Sequence, residues 1–112
     1  MVPDTLSATD NYGTPAHRAA LQGHLKVIQY LYEVVPDTLR AKDSLGFTPA
    51  HKAANEGRLE VMQYLHEVVP DTLWAKTNRG STPAHSAAGQ GRLEVIQYLH
   101  EVVPDTLWAR NK

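Results

Sequence analysis

With 112 residues, a formal charge of −1 and no cysteine, the chain has room for one compact domain or one short repeat array, and for no disulfide, thiolate nucleophile or sulfur-ligated metal. Its eleven Lys and Arg interleave with twelve Asp and Glu, which gives no electrostatic reason to expect nucleic acid or an anionic membrane as partner. No apolar run approaches the roughly 20 residues of a membrane helix, and Met1-Val2-Pro3-Asp4 carries no secretory signal, so a soluble, intracellular protein is the expectation.

Self-similarity organises the rest. Thr-Pro-Ala-His stands at Thr14 to His17, Thr48 to His51 and Thr82 to His85, a spacing of 34. Val-Val-Pro-Asp-Thr-Leu begins at Val34, Val68 and Val102, and a shortened copy runs from Val2 to Leu6. The chain therefore divides into the tail of a preceding repeat (1–9), three repeats (10–42, 43–76, 77–110) and a short end (111–112). The second and third repeats differ at 9 of 34 positions, and the first is one residue shorter because Gly13 meets Thr14 directly. Such near identity fits recent duplication and assembly from a common module alike.

In chain order, each repeat predicts two short helices and a long connection. Thr48 can cap free amides and Pro49 suits a first turn, so a helix starts there and ends at Gly57. A second helix follows from about Arg58 to Val68, stopped by Pro70. Pro70-Asp71 signals a turn, and the chain then runs extended around the next repeat's glycine, Gly46 in the second repeat. Ala50, Ala53 and Ala54 share one side of the first helix, with Lys52, Asn55 and Glu56 opposite. On the second helix, Leu59, Val61, Met62, Tyr64, Leu65, Val68 and Val69 cover more than half the circumference. So wide an arc needs cover from both sides, which an all-α solenoid of stacked repeats supplies.

The pattern from Asp43 and Gly46 through Thr48-Pro49-Ala50-His51, Ala53-Ala54 and Gly57 resembles the ankyrin repeat, about three times over. The resemblance implies helix-turn-helix units with short β-hairpin or loop tips, and histidines that orient those tips by hydrogen bonds. Ala16, Ala50 and Ala84 stand where the family usually has leucine, and Trp74, Trp108, Tyr30, Tyr64 and Tyr98 are candidates to refill the space. Val-Val-Pro-Asp replaces the usual glycine after the second helix, and the residue missing after Gly13 alters the first tip. A tetratricopeptide array shares the period, but the 14 residues from Pro36 to Pro49 are too long for its tight turns.

The resemblance implies a non-catalytic scaffold that docks another protein on tips and first helices. Differences between repeats two and three collect on that surface. The expected contact set is Asn11, Tyr12, Arg18, Leu21, Gln22, Ser44, Leu45, Phe47, Lys52, Asn55, Glu56, Asn78, Arg79, Ser81, Ser86, Gly89 and Gln90, with Tyr12, Leu45, Phe47 and Arg79 as anchors. No cofactor, metal or catalytic residue is expected. His17, His51 and His85 lie one helix spacing apart, about 8–10 Å, too far to share zinc, and His85 and Ser86 point about 100° apart. His66 and His100 are expected at the surface. Val27, Ile28 and Leu31 at one end, and Val95, Ile96 and Leu99 at the other, should be partly bare, so head-to-tail self-association, or a purely structural stacking role, is the alternative.

Overall fold

The computed structural model describes residues 13–103. Three helix pairs follow one another: α1 (Pro15–Gln22) and α2 (Leu25–Val34), α3 (Pro49–Asn55) and α4 (Leu59–Val68), α5 (Pro83–Gly89) and α6 (Leu93–Val102). They stack along one axis. The closest helix packing joins α1 to α3 and α3 to α5, and α2, α4 and α6 form a second row. The array measures 43 × 25 × 22 Å.

Each first helix begins the way its sequence dictates. Thr14, Thr48 and Thr82 sit in extended backbone as N-caps, proline fills the first turn, and a histidine at the third helical position bonds back to the cap. Left-handed Gly23 and Gly57 then turn the chain into the second helix. An added Cβ at these positions would also press on the following repeat's arginine, 2.8 Å from Arg58 Cδ and 3.0 Å from Arg92 Cδ, which would have to shift.

The core holds Ala16, Ala20, Ile28, Leu31, Leu39, Ala50, Ala53, Ala54, Met62, Leu65, Leu73, Val95 and Leu99, all essentially inaccessible. The alanines let successive first helices approach closely, and Ala16 and Ala50 are wholly buried. Of the aromatic residues expected to refill the space of the missing leucines, Trp74, Tyr64 and Tyr98 pack against the core and Tyr30 does not. Tyr30 is 55 % exposed, while Tyr64 and Tyr98 lie half-buried along the edge of the core. There they make diagonal contacts between repeats: Tyr32 meets Tyr64 edge-on at 6.3 Å, and His66 meets Tyr98 at 5.9 Å. His66 is therefore half-buried rather than free at the surface, with Nδ1 3.0 Å from the Tyr98 hydroxyl.

The long connections also differ from expectation. Pro36–Arg40 and Pro70–Trp74 are 3-10 helices, in which the Thr38 and Thr72 hydroxyls donate to the Val35 and Val69 carbonyls while Leu39 and Leu73 plug the core. Arg40 donates to both carboxylate oxygens of Asp71, at 3.1 and 2.9 Å, tying one such helix to the next and holding Asp71 below the usual carboxylate range. Among the described residues the tips are hydrogen-bonded turns rather than strands.

The ends are less bare than the helical pattern implied. Ile28, Leu31, Val95 and Leu99 are all buried, and Val95 differs from the equivalent Val27 in having a described repeat before it. Exposure is confined to Val27 (46 %) and Tyr30 on α2 and to Leu93 (64 %) on α6, with Ile96 half-buried.

Candidate binding face

The face built by tips and first helices starts from the buried histidines. His17 Nε2 lies 2.7 Å from the Phe47 carbonyl, and His51 Nε2 lies 2.9 Å from that of Ser81. A carbonyl only accepts, so Nε2 carries the proton and donates. Nδ1 is then bare and accepts from the cap amide, Thr14 N–H at 3.0 Å and Thr48 N–H at 3.1 Å. Burial, the dominant influence, pushes both rings below their ordinary pKa, against the raising effect of those carbonyl bonds. Each histidine thus caps its own helix and fixes the tip of the next repeat. His85 makes the same cap contact from an exposed position.

The second tip is built around Asp43. Its carboxylate accepts from the Leu45 and Phe47 amides, both at 2.9 Å, and pairs with Lys52 at 3.4 Å. Burial raises its pKa, but those amides and the ammonium outweigh burial and hold it below the usual range. The Asp43 amide donates to the Phe47 carbonyl and closes the turn. The Phe47 ring stacks on His51 at 5.7 Å, with Lys52 Nζ 4.6 Å above it. In the third tip Thr77 takes over from Asp43, its hydroxyl accepting from the Arg79 and Ser81 amides.

Neighbouring tips are stitched together by Asn78, whose amide donates to the Leu45 carbonyl at 3.0 Å and whose side chain donates to the Ser44 carbonyl at 3.1 Å. At the other end of the first helices Arg58 Nε donates to the Leu21 carbonyl and Arg92 Nε to the Asn55 carbonyl, both at 3.0 Å. These arginines were missed on reading the sequence. Their signal was the recurring Gly-Arg-Leu-Glu, broken by His24 in the first repeat.

The expected contact residues that are described are all exposed or half-exposed. Arg18, Gln22, Ser44, Leu45, Asn78, Arg79, Gly89 and Gln90 are exposed; Leu21, Phe47, Lys52, Asn55, Glu56, Ser81 and Ser86 are half-exposed. Arg18, Leu21, Gln22 and Lys52 line, with His17, an open depression of about 440 Å³ between α1 and α3. Asn11 and Tyr12, like Trp108 in the core expectation, lie outside the described residues. Several side chains are engaged rather than simply displayed: Phe47 by His51 and Lys52, Lys52 by Asp43, Asn78 by the Ser44 carbonyl, and Glu56 by Asn55 and by Arg92 at 3.8 Å.

Stacked helix pairs, histidine-fixed tips and the 34-residue repeat agree with the comparison against known families. The profile for ankyrin repeats, three copies, matches residues 17–106. The chain belongs to the ankyrin-repeat family. Ankyrin repeats are generally protein-interaction modules and typically non-catalytic. No curated protein matches the chain. No described helix of this ankyrin array is long and apolar enough to cross a membrane.

Proposed function

We propose that this ankyrin array works by binding another protein on the surface formed by its tips and first helices, without catalysis. One observation carries the reading: positions on this face serve the stack through their main chain. Leu21, Ser44, Leu45, Phe47, Asn55 and Ser81 each offer a backbone carbonyl to the following repeat or to the histidine of the preceding one. Their side chains are left to differ, as Leu45 and Arg79, Phe47 and Ser81, or Asn55 and Gly89 do. Leu45 is 61 % exposed, an apolar group without cover at the tip. A rigid frame with side chains chosen independently of folding is what recognition requires.

Site-specific photo-crosslinking tests this. A photoreactive residue at Ser44 or Leu45 is expected to give one discrete protein adduct, abolished by Phe47→Ala with Arg79→Ala. The same probe at Gln63, exposed on α4, is expected to give none. Adducts at Gln63 alone, or unchanged binding in the double variant, would overturn the reading.

The exposed Val27, Tyr30 and Leu93 favour a second reading, end-to-end stacking of copies in the manner of successive repeats. Sedimentation across a concentration series separates the two, since monomer alone at the highest concentration excludes stacking.

A further inference from the structure

Charge is balanced along the chain but not across it. The exposed strip of the second helices carries Glu33, Glu60, Glu67, Glu94 and Glu101 against Lys26. The first helices and tips carry Arg18, Lys42, Lys52, Lys76 and Arg79 against Asp43 and Glu56. The two sets face away from the core on opposite sides, because Lys52, Asn55 and Glu56 oppose the buried alanines of α3 while Glu60, Gln63 and Glu67 oppose Val61, Met62 and Leu65 of α4.

The negative charges on the first set are largely neutralised. The Asp43 side chain is 4 % exposed and paired with Lys52, and Glu56 lies beside Arg92. Lys52 is itself paired with Asp43, which leaves Lys42, Lys76 and Arg79 as the cations of the tip edge. Among the described residues Lys42 Nζ bonds a main-chain oxygen, that of Lys76, at 3.3 Å, so its charge persists at the tip edge. Lys76 and Arg79 stand exposed on the adjoining tip, bonded to Leu45 through Asn78. Leu45 is joined through its carbonyl to Asn78, the residue before Arg79, and the half-buried Phe47 lies under Lys52.

We propose that the occupant of this face is an extended protein segment of net negative charge with at least one large apolar side chain. Its carboxylates meet Lys42, Lys76 and Arg79, and its apolar group rests on Leu45 and Phe47. The inference rests on the tip and first-helix reading above and narrows it. A phosphate backbone or an anionic bilayer also carries negative charge. Both are disfavoured because the cations are few and interleaved with acids rather than forming a polybasic track, and because the exposed Leu45 on the same tip asks for a single apolar side chain.

The test is selection of peptides from an unbiased displayed library against the intact chain. Acidic peptides with an apolar residue are expected to be enriched. Their binding is expected to fall at least about tenfold in Lys42→Glu/Lys76→Glu/Arg79→Glu and to weaken as salt is raised. The milder Lys42→Gln/Lys76→Gln/Arg79→Gln is expected to give a smaller loss in the same direction, with helical content unchanged. Glu60→Lys/Glu67→Lys/Glu94→Lys, on the opposite strip, is expected to bind as the parent does. Neutral or basic peptides displaced by Leu45→Asp would overturn the acidic partner while leaving the binding face standing. Peptides sensitive only to the opposite strip would overturn both, and failure to enrich any peptide overturns the proposal. So does tighter, tip-dependent binding of single-stranded DNA or phosphatidylserine vesicles.

Discussion

At the scale of single residues, His17 and His51 couple the fold to pH. Each needs a bare Nδ1 to accept the cap amide and an Nε2 proton to give to the next tip. A second proton sets an N–H against the cap amide, so the folded protein resists protonation and the unfolded chain does not. Both folded pKa values lie below the ordinary 6.5, so the unfolded state binds more protons in the interval beneath it. Stability is expected to be fully present above pH 6.5 and to fall as the pH drops toward the folded pKa. Urea unfolding at pH 7.5 and 5.0 measures this, and His17→Gln/His51→Gln is expected to lose most of the pH dependence along with some stability. Two glycines make a sharper local contrast. Gly46 has φ +89 and an added Cβ would fall 2.6 Å from the Asn78 amide nitrogen, so Gly46→Ala is expected to cost about 2 kcal/mol or more. Gly89 closes α5 with open space around it, so Gly89→Ala is expected to stabilise by up to about 1 kcal/mol. The histidine positions were legible from Thr-Pro-Ala-His. The carbonyls they seek were not, because a sequence names side chains and these contacts use the main chain.

At the scale of elements, what a sequence shows depends on whether the element is held by periodicity or by local chemistry. The helices were legible because their caps, glycines and apolar spacing agree. The 3-10 helices were read only as turns, since their stability comes from the Thr38 and Thr72 hydroxyls and from Leu39 and Leu73 reaching the core. The face of each second helix was overestimated for a related reason: a wheel shows how wide the apolar arc is, not which part a neighbour covers. Equivalent positions in consecutive helices make the point testable. Val61 is 1 % exposed between α2 and α6, whereas Val27 on α2 lacks that cover. Val61→Ala is expected to cost about 2 kcal/mol and Val27→Ala less than about 0.5 kcal/mol, measured as shifts in urea midpoint with unchanged slope. Equal costs would mean that Val27 is covered in solution by something beyond the described residues.

At the scale of the molecule, the question is how well one end of the array matches the other. Every described junction between repeats has an arginine from the later repeat lying on a glycine of the earlier one and donating to the carbonyl two residues before it: Arg58 on Gly23 to Leu21, and Arg92 on Gly57 to Asn55. Gly91 offers the same left-handed turn, with no described residue within 4 Å of the space above it, and the corresponding carbonyl belongs to Gly89. A second copy stacking there would present His24 instead of arginine, and with Ile28 and Leu31 already buried its α2 would add chiefly Val27 and Tyr30 as apolar area. End-to-end association of the native chain is therefore expected to be weak. His24→Arg supplies the absent donor and is expected to tighten it by about fivefold, the equivalent of one hydrogen bond worth about 1 kcal/mol. Sedimentation equilibrium of the two proteins side by side measures the difference. If Gly91→Ala, made in the His24→Arg background, left that gain intact, the arginine seat would have no part in it, because the added Cβ stands where the side chain must lie. Loss of the gain would make the seat a general rule of this array, with the identity at position 24 deciding whether copies join.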